Sequence, residues 1–350
     1  MVTVDASTVR RCDIPGELLQ NMRSSVLFLG ALLTRCGAAE LMPPGGCALG
    51  RRPIDLHLWA MEKLGARCCV QGDEIACHAE RLQGCMLKLR CPSVGATENA
   101  MLASLGCTGT TTIENAAREP EIVDLARFLQ AMGAHVSGAG SSTITMEGGR
   151  KLHGTVYWVM PDRIETATLL CAAAGCGGDV FLSGGRTQGI ETVLQALEQG
   201  GCRLAAQPEG LRLQAPERLR APENIITGPH PAFPTDAQAL MMAAVLRAEG
   251  TTEFTETVFE NRLRHVPQMQ MLGASIRTCG CRAIVEGVPQ LHGAQLTATD
   301  LRCGAALTAA ALQAEGKSRV FGIPYIRRGY EDLAGSLRCL GAEIVEELYQ

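Results

Sequence analysis

A glycine that returns four times at nearly one interval is the feature that most limits how this chain can fold. The stretches "EKLGARC", "QAMGAHV", "EQGGCRL", "QMLGASI" and "RCLGAEI" place Gly65, Gly133, Gly201, Gly273 and Gly341 at spacings of 68, 68, 72 and 68 residues. Each closes an amphipathic segment, where the end of a helix calls for positive φ. Short β-type runs follow, such as "SSTITMEG" and "CRAIVEGV". Upstream of the glycine the order is also constant. An Ala/Leu/Met-rich helix comes first ("MLASLG", "TATLLCAAAG", "AQALMMAAVLRAEG", "GAALTAAALQAEG"). A strand opened by glycine is next ("GTTTIENA", "GGDVFLSG", "GTTEFTET", "GKSRVFGI"), and then the amphipathic helix, striped in one case by Ile122, Leu125, Leu129 and Met132. A helix apolar on every face has to be buried. The repeat therefore predicts closed packing around those helices rather than an open solenoid. "VTVDAS" at residues 2–7 reads as the closing strand of a preceding unit, and the chain ends after "GAEIVEE", ahead of its own hairpin. Five units are expected.

Composition narrows the function classes. A chain of 350 residues, 46% hydrophobic, has room for two domains with sizeable cores. A net charge of −4 with no Lys/Arg run offers neither a nucleic-acid footprint nor a membrane-binding face. The longest apolar run, "VLFLGALL", is far short of a membrane span, and the start has no signal-peptide core, so a cytoplasmic protein is expected. Sixteen cysteines do not read as a disulfide framework: Cys68-Cys69 and Cys279-x-Cys281 are too close to bridge, and Cys171, Cys176, Cys303 and Cys339 lie in apolar helical runs. They are expected to be reduced, small hydrophobes. No C-x-x-C pair and no zinc-like spacing occurs, and "GKS" at 316–318 lacks a Walker frame, so neither metal nor cofactor is expected.

Arginine is the residue placed for chemistry. Arg52, Arg118, Arg186, Arg262 and Arg328 each lie 11 to 15 residues before an anchor glycine, near the start of an amphipathic helix, while Arg23, Arg163 and Arg302 open apolar helices. Cations at the positive ends of helices are awkward unless anions join them. Taken singly, each is accounted for by a surface salt bridge; as a group they fit a multiply anionic substrate. Cys47 sits in "PPGGCALGRRPIDLH", in an extended connection flanked by glycines, with Arg51 and Arg52 favouring its thiolate. Its alternative is core packing. "HPAFPTDAQA" places Asp236 as an N-cap or as a general base at the mouth of a cleft. "SVGATEN" reads as a turn into a helix N-terminus able to cradle a diphosphate. His57, His230 and His265 stand alone and read as structural.

Together "PGGCALGRRPIDLH", "PSVGATEN", "IENAAREPEIVDLARFL", "PDRIET", "PHPAFPTDAQA", "ETVFENR", "TDLR" and "RRGYE" resemble the UDP-N-acetylglucosamine 1-carboxyvinyltransferases, over nearly the whole chain and in order. These are enolpyruvyl transferases that open peptidoglycan synthesis. The resemblance implies an α+β (α/β) fold, a two-domain inside-out α/β barrel of βαβαββ units, with five of six units present. Residues 1–160 would form a first domain of two units carrying the Cys47 loop, residues 161–350 a second domain of three, with the active site in the cleft between them. By resemblance Cys47 donates a proton to C3 of phosphoenolpyruvate and is alkylated by fosfomycin, and Asp236 takes the proton of the sugar 3′-hydroxyl. Arg52 and Arg328 would hold the phosphate, and Arg262 and Arg302 the carboxylate. Arg23, the backbone from Arg52 through Pro53, Ile54 and Asp55 to Leu56, then Ser93, Val94, Gly95 and Val258 would bind the UDP-sugar. Two anionic substrates account for the arginine excess. The family's N-terminal lysine–asparagine pair has no counterpart here, Arg327 replaces the usual Asp, and Tyr325 the usual His. That departure leaves room for a partner chain supplying the absent unit. The alternative is a catalytically impaired homologue that binds a UDP-sugar or partners a full-length enzyme.

Overall fold

The computed structural model describes residues 1–15, 22–42, 45, 50, 53–72 and 74–347. The chain forms two compact units, the first ending at Met160 and the second starting at Pro161. Each has its own apolar core.

In the first unit a 3₁₀ turn, Arg23–Leu27, leads into α1 (Phe28–Cys36) and β1 (Ala38–Leu41). Then come α2 (Asp55–Lys63), β2 (Arg67–Gln71) and β3 (Glu74–His78). The next repeat runs β4 (Met86–Lys88), α3 (Val94–Ser104), β5 (Thr110–Glu114), α4 (Pro120–Ala131), β6 (His135–Ser137) and β7 (Thr143–Glu147). Its sheet has the order β4-β5-β7-β6, with β4 parallel to β5 and the others antiparallel. Two parallel strands need a crossover between them, and α3 supplies it. The same logic gives β1-β3-β2, joined by a single parallel bridge from Asp13 to Glu40.

The second unit opens with α5 (Arg163–Cys176), β8 (Gly178–Ser183), α6 (Glu191–Gln199), β9 (Arg203–Gln207) and β10 (Gly210–Ala215). It continues with β11 (Asn224–Ile226), α7 (Thr235–Ala244), β12 (Thr251–Thr255), α8 (Val266–Met271), β13 (Ser275–Cys279) and β14 (Arg282–Glu286). The last repeat holds β15 (Leu291–His292), β16 (Gln295–Thr297), α9 (Leu301–Ala311), β17 (Ala314–Glu315), β18 (Arg319–Phe321), α10 (Ile323–Ile326) and α11 (Leu333–Cys339). β11 pairs parallel with β12 and β16 with β18, each across an apolar helix. The sheet β8-β10-β9 differs: among the described residues β8 pairs with β10 alone.

The helices without a polar face lie inside. α5, α7 and α9 pack on one another, and Ala237 to Ala244 of α7 are buried without interruption. The helix-inside, sheet-outside arrangement follows the sequence pattern, although the sheets stay separate and none closes into a barrel among the described residues. All five anchor glycines have positive φ, between 91° and 103°. α1 reaches α3 through Gly30, whose backbone N–H donates to the buried Asn99 side chain at 2.7 Å. No described helix is long and apolar enough to cross a membrane.

Three expectations need correction. Residues 2–7 form no strand: Val2 and Val4 are 87% and 82% exposed, and no strand among the described residues pairs with them. The segment is held instead by Arg35, which donates to the carbonyls of Ala6 and Val9 at 2.6 and 3.2 Å. Not every cysteine is a free thiol either. Cys68 of β2 and Cys77 of β3 form a disulfide, since the antiparallel register sets them directly opposite with Cα atoms 4.2 Å apart. The third concerns Asp236 and belongs to the site.

Candidate functional site

In the second unit α7 begins at a backbone turn after "HPAFP". Pro234, extended at φ −68° and ψ 127°, occupies the N-cap, so Asp236 falls in the first helical turn and caps nothing. The proline, already fixed in φ, takes the cap position that the sequence pattern gave to the aspartate. The freed carboxylate faces arginines. Arg262 donates to Asp236 Oδ1 at 2.6 Å and to the Thr235 carbonyl at 3.1 and 3.2 Å, with 3% of its side chain exposed. Arg302, at the start of α9, stands 3.5 Å from Oδ2. Burial alone would raise the Asp236 pKa, but the charges of Arg302 and Arg262, with a smaller contribution from Arg163, hold it below the usual carboxylate value. The carboxylate stays ionised while 43% of its side chain remains accessible.

Two buried polar groups that sequence reasoning did not single out hold this cluster. Glu256, 3% exposed, accepts from the Val258 and Phe259 amides at 2.8 and 3.1 Å and from the Thr235 hydroxyl at 3.0 Å. It thereby ties the loop carrying Val258 and Arg262 to the turn carrying Asp236. Tyr330, 2% exposed, accepts from Arg302 Nη1 at 3.1 Å and contacts the Thr168 hydroxyl of α5 at 2.7 Å. Their sequence signal is membership of the stretches "ETVFENR" and "RRGYE", which gives no role to either residue. His265 packs between the Arg262 carbonyl and Met242 Sδ, and burial pushes its pKa down to about 4, so it is a neutral structural group. Arg328 is exposed on the turn after α10, two residues before Tyr330.

The first unit gathers a second group. Ser93 is the N-cap of α3, its hydroxyl accepting from Ala96 N at 3.3 Å, so the amides of Val94 and Gly95 belong to a helix N-terminus. Beneath Gly95 lies His57 of α2: a Cβ on Gly95 would stand 3.1 Å from the ring. Asn99 donates to His57 Nδ1 at 3.0 Å and to the Val26 carbonyl at 2.9 Å. Arg23 Nη2 reaches the Pro53 carbonyl at 3.5 Å, while Ile54 leads into α2, where Asp55 pairs with Arg90 and Leu56 is half-buried. Within each unit the structure therefore joins Asp236, Arg262 and Arg302, and Arg23 with Pro53. Cys47 and Arg52 lie outside the described residues. Arg118, ahead of α4, and Arg186, ahead of α6, are exposed, and Arg186 donates to the Pro208 carbonyl at 3.2 Å. No group of three or more His, Cys, Asp or Glu among the described residues could hold a metal ion.

A carboxylate kept ionised and accessible between arginines can accept a proton from a hydroxyl, with cations ready for an anionic co-substrate. Comparison with known proteins bears on which one. Residues 1–337 match the family model of EPSP synthase (3-phosphoshikimate 1-carboxyvinyltransferase). The chain is 43% identical over 343 residues to a UDP-N-acetylglucosamine 1-carboxyvinyltransferase of Magnetococcus marinus, covering 98% of this chain and 82% of that one. It is 47% identical over 342 residues to UDP-N-acetylglucosamine 1-carboxyvinyltransferase 1 of Halalkalibacterium halodurans, covering 97% and 78%. Among solved structures it resembles the enolpyruvyl transferase NikO from Streptomyces tendae, with a TM-score of 0.86, 26% identity and coverage of 97% and 81%. An EPSP synthase from Acinetobacter baumannii shares the fold at a TM-score of 0.70 and 20% identity, covering 92% and 78%.

Proposed function

We propose, from the premise that this chain belongs to the EPSP synthase family of enolpyruvyl transferases, that it moves the enolpyruvyl group of phosphoenolpyruvate onto the 3′-hydroxyl of UDP-N-acetylglucosamine and releases phosphate. The observation that carries this reading is Asp236 held ionised between Arg262 and Arg302, in a chain 43% and 47% identical to two carboxyvinyltransferases named for that substrate.

The residues divide the chemistry. Asp236 takes the hydroxyl proton as the sugar oxygen attacks C2 of the enolpyruvate. Cys47 delivers a proton to C3, making C2 electrophilic. Loss of a C3 proton and cleavage of the C2–O bond then expel phosphate and restore the double bond. Arg262 and Arg302 face the carboxylate, and Arg52 and Arg328 the departing phosphate, where preorganised cations stabilise the developing charge. Arg23, the Pro53–Leu56 backbone, the Ser93–Val94–Gly95 turn and Val258 receive the nucleotide sugar. The reading implies a cytoplasmic enzyme at the first committed step of peptidoglycan synthesis, and with it a role in cell-wall biogenesis, cell shape and division.

Phosphate release by the purified chain, given both substrates, tests it. We expect release that falls at least about a hundredfold in Asp236→Ala and in Cys47→Ala. A folded chain that binds the nucleotide sugar and releases no phosphate would refute transfer and leave a binding homologue.

A further inference from the structure

Arg262 and Arg302 hold Asp236 unequally. Arg262 is in full contact at 2.6 Å, whereas Arg302 stops at 3.5 Å, although 13% side-chain exposure gives it little water to pair with instead. Another partner accounts for the gap. Arg302 Nη1 donates to the Tyr330 hydroxyl at 3.1 Å, and its guanidinium carbon lies 5.7 Å from the centre of the tyrosine ring.

Counting protons fixes the direction of this chain of bonds. The Thr168 hydroxyl lies 2.7 Å from the Ile164 carbonyl, which can only accept, so its single proton goes there. Thr168 must then accept from Tyr330, 2.7 Å away. Arginine can only donate, so Tyr330 accepts from Arg302. The order runs Arg302 to Tyr330 to Thr168 to the α5 backbone, and it anchors a cation of α9 to a helix that is itself packed in the core. The charges around it are Asp236, Arg262 and Arg163 on one group of contacts and Asp162 on another.

We propose that Tyr330 is a positioning residue that holds Arg302 back from Asp236, so that the arginine stays available to the carboxylate of the incoming enolpyruvate and is not spent on the base. The enolpyruvate identity rests on the function proposed above; the restraint on Arg302 does not.

Two measurements separate them. In kinetics, Tyr330→Phe raises KM for phosphoenolpyruvate about tenfold, while KM for UDP-N-acetylglucosamine stays within about twofold. Thr168→Val, which removes the acceptor at the far end, shifts the same constant in the same direction, and Thr168→Ser restores it. A purely structural tyrosine would lower thermal stability and move both constants together, which would overturn the proposal. In a crystal structure of Tyr330→Phe, Arg302 Nη2 closes on Asp236 to about 2.9 Å; an arginine still at 3.5 Å would also overturn it. If the wild-type chain releases no phosphate, the functional reading fails on that result, and the crystal structure alone decides the role of Tyr330.

Discussion

One buried side chain makes the first unit less stable as pH falls. His57 is 5% exposed and its Nδ1 accepts from Asn99 at 3.0 Å, which a protonated ring could not do. Burial is the main cause that pushes its pKa from 6.5 down to about 4, the Arg23 charge adds to this, and Asp55 opposes it. A histidine lowered on folding binds fewer protons folded than unfolded, so its neutral form contributes fully above pH 6.5 and the contribution disappears as pH falls toward 4. The gap between 6.5 and about 4 corresponds to about 3 kcal/mol. His57→Gln keeps an oxygen able to accept from Asn99 and removes the titration. Urea unfolding followed by tryptophan fluorescence reads this unit, because both tryptophans of the chain, Trp59 and Trp158, belong to it. His265, lowered to about 4 in the second unit, is present in both proteins and cancels in the comparison. Glu98 of the first unit, raised to about 7 by burial and by the neighbouring Glu121 and Glu119, gains stability over the same fall in pH. The histidine is therefore read from the difference: between pH 6.5 and 4.5 the wild type should lose more stability than the variant. Parallel pH dependence in the two proteins would refute the reasoning.

Other substitutions test the remaining contacts. Glu256→Ala leaves two amides and the Thr235 hydroxyl without their acceptor, a loss of about 3 kcal/mol read as a lower urea midpoint, while Glu256→Gln costs about 1 kcal/mol. Gly30→Ala would set a Cβ 2.5 Å from the Asn99 carbonyl oxygen, and the forced separation of α1 and α3 should cost at least about 2 kcal/mol in the tryptophan-detected transition. Fosfomycin with UDP-N-acetylglucosamine should add its mass to the chain and none to Cys47→Ala; an unmodified wild-type chain would remove Cys47 from the mechanism.

Much of the architecture was legible because it repeats. Gly65, Gly133, Gly201, Gly273 and Gly341 mark the same left-handed turn, and helices such as "AQALMMAAV" can satisfy their apolar faces only inside. The site was legible in part. Ser93 does cap its helix, and Asp236, Arg262 and Arg302, 66 residues apart at the extremes, do meet. Local pattern could not show that Pro234 would take the cap from Asp236, because the two placements differ by two residues in one turn. Nor could it find Tyr330 or Asn99, whose importance depends on partners far off in the chain, or show that Glu256 would fold back on the amides of Val258 and Phe259 and be buried there. Cys68 and Cys77 meet through a strand register that cysteine spacing alone does not disclose.

The exception among the sheets has its own consequence. β5 and β12 each have a neighbour on both sides, so their amides are held in ladders on either flank. β8 is bonded to β10 only, leaving alternate N–H groups between Gly178 and Ser183 turned outward without a ladder partner among the described residues. In deuterated water those outward amides should take up label while their counterparts in β5 and β12 remain protected. An unpaired strand edge is also a template for another strand. Asp179 is bound at 2.6 Å to Arg212 of β10, across the paired side of the strand, so a strand added along the open edge would leave that ion pair in place.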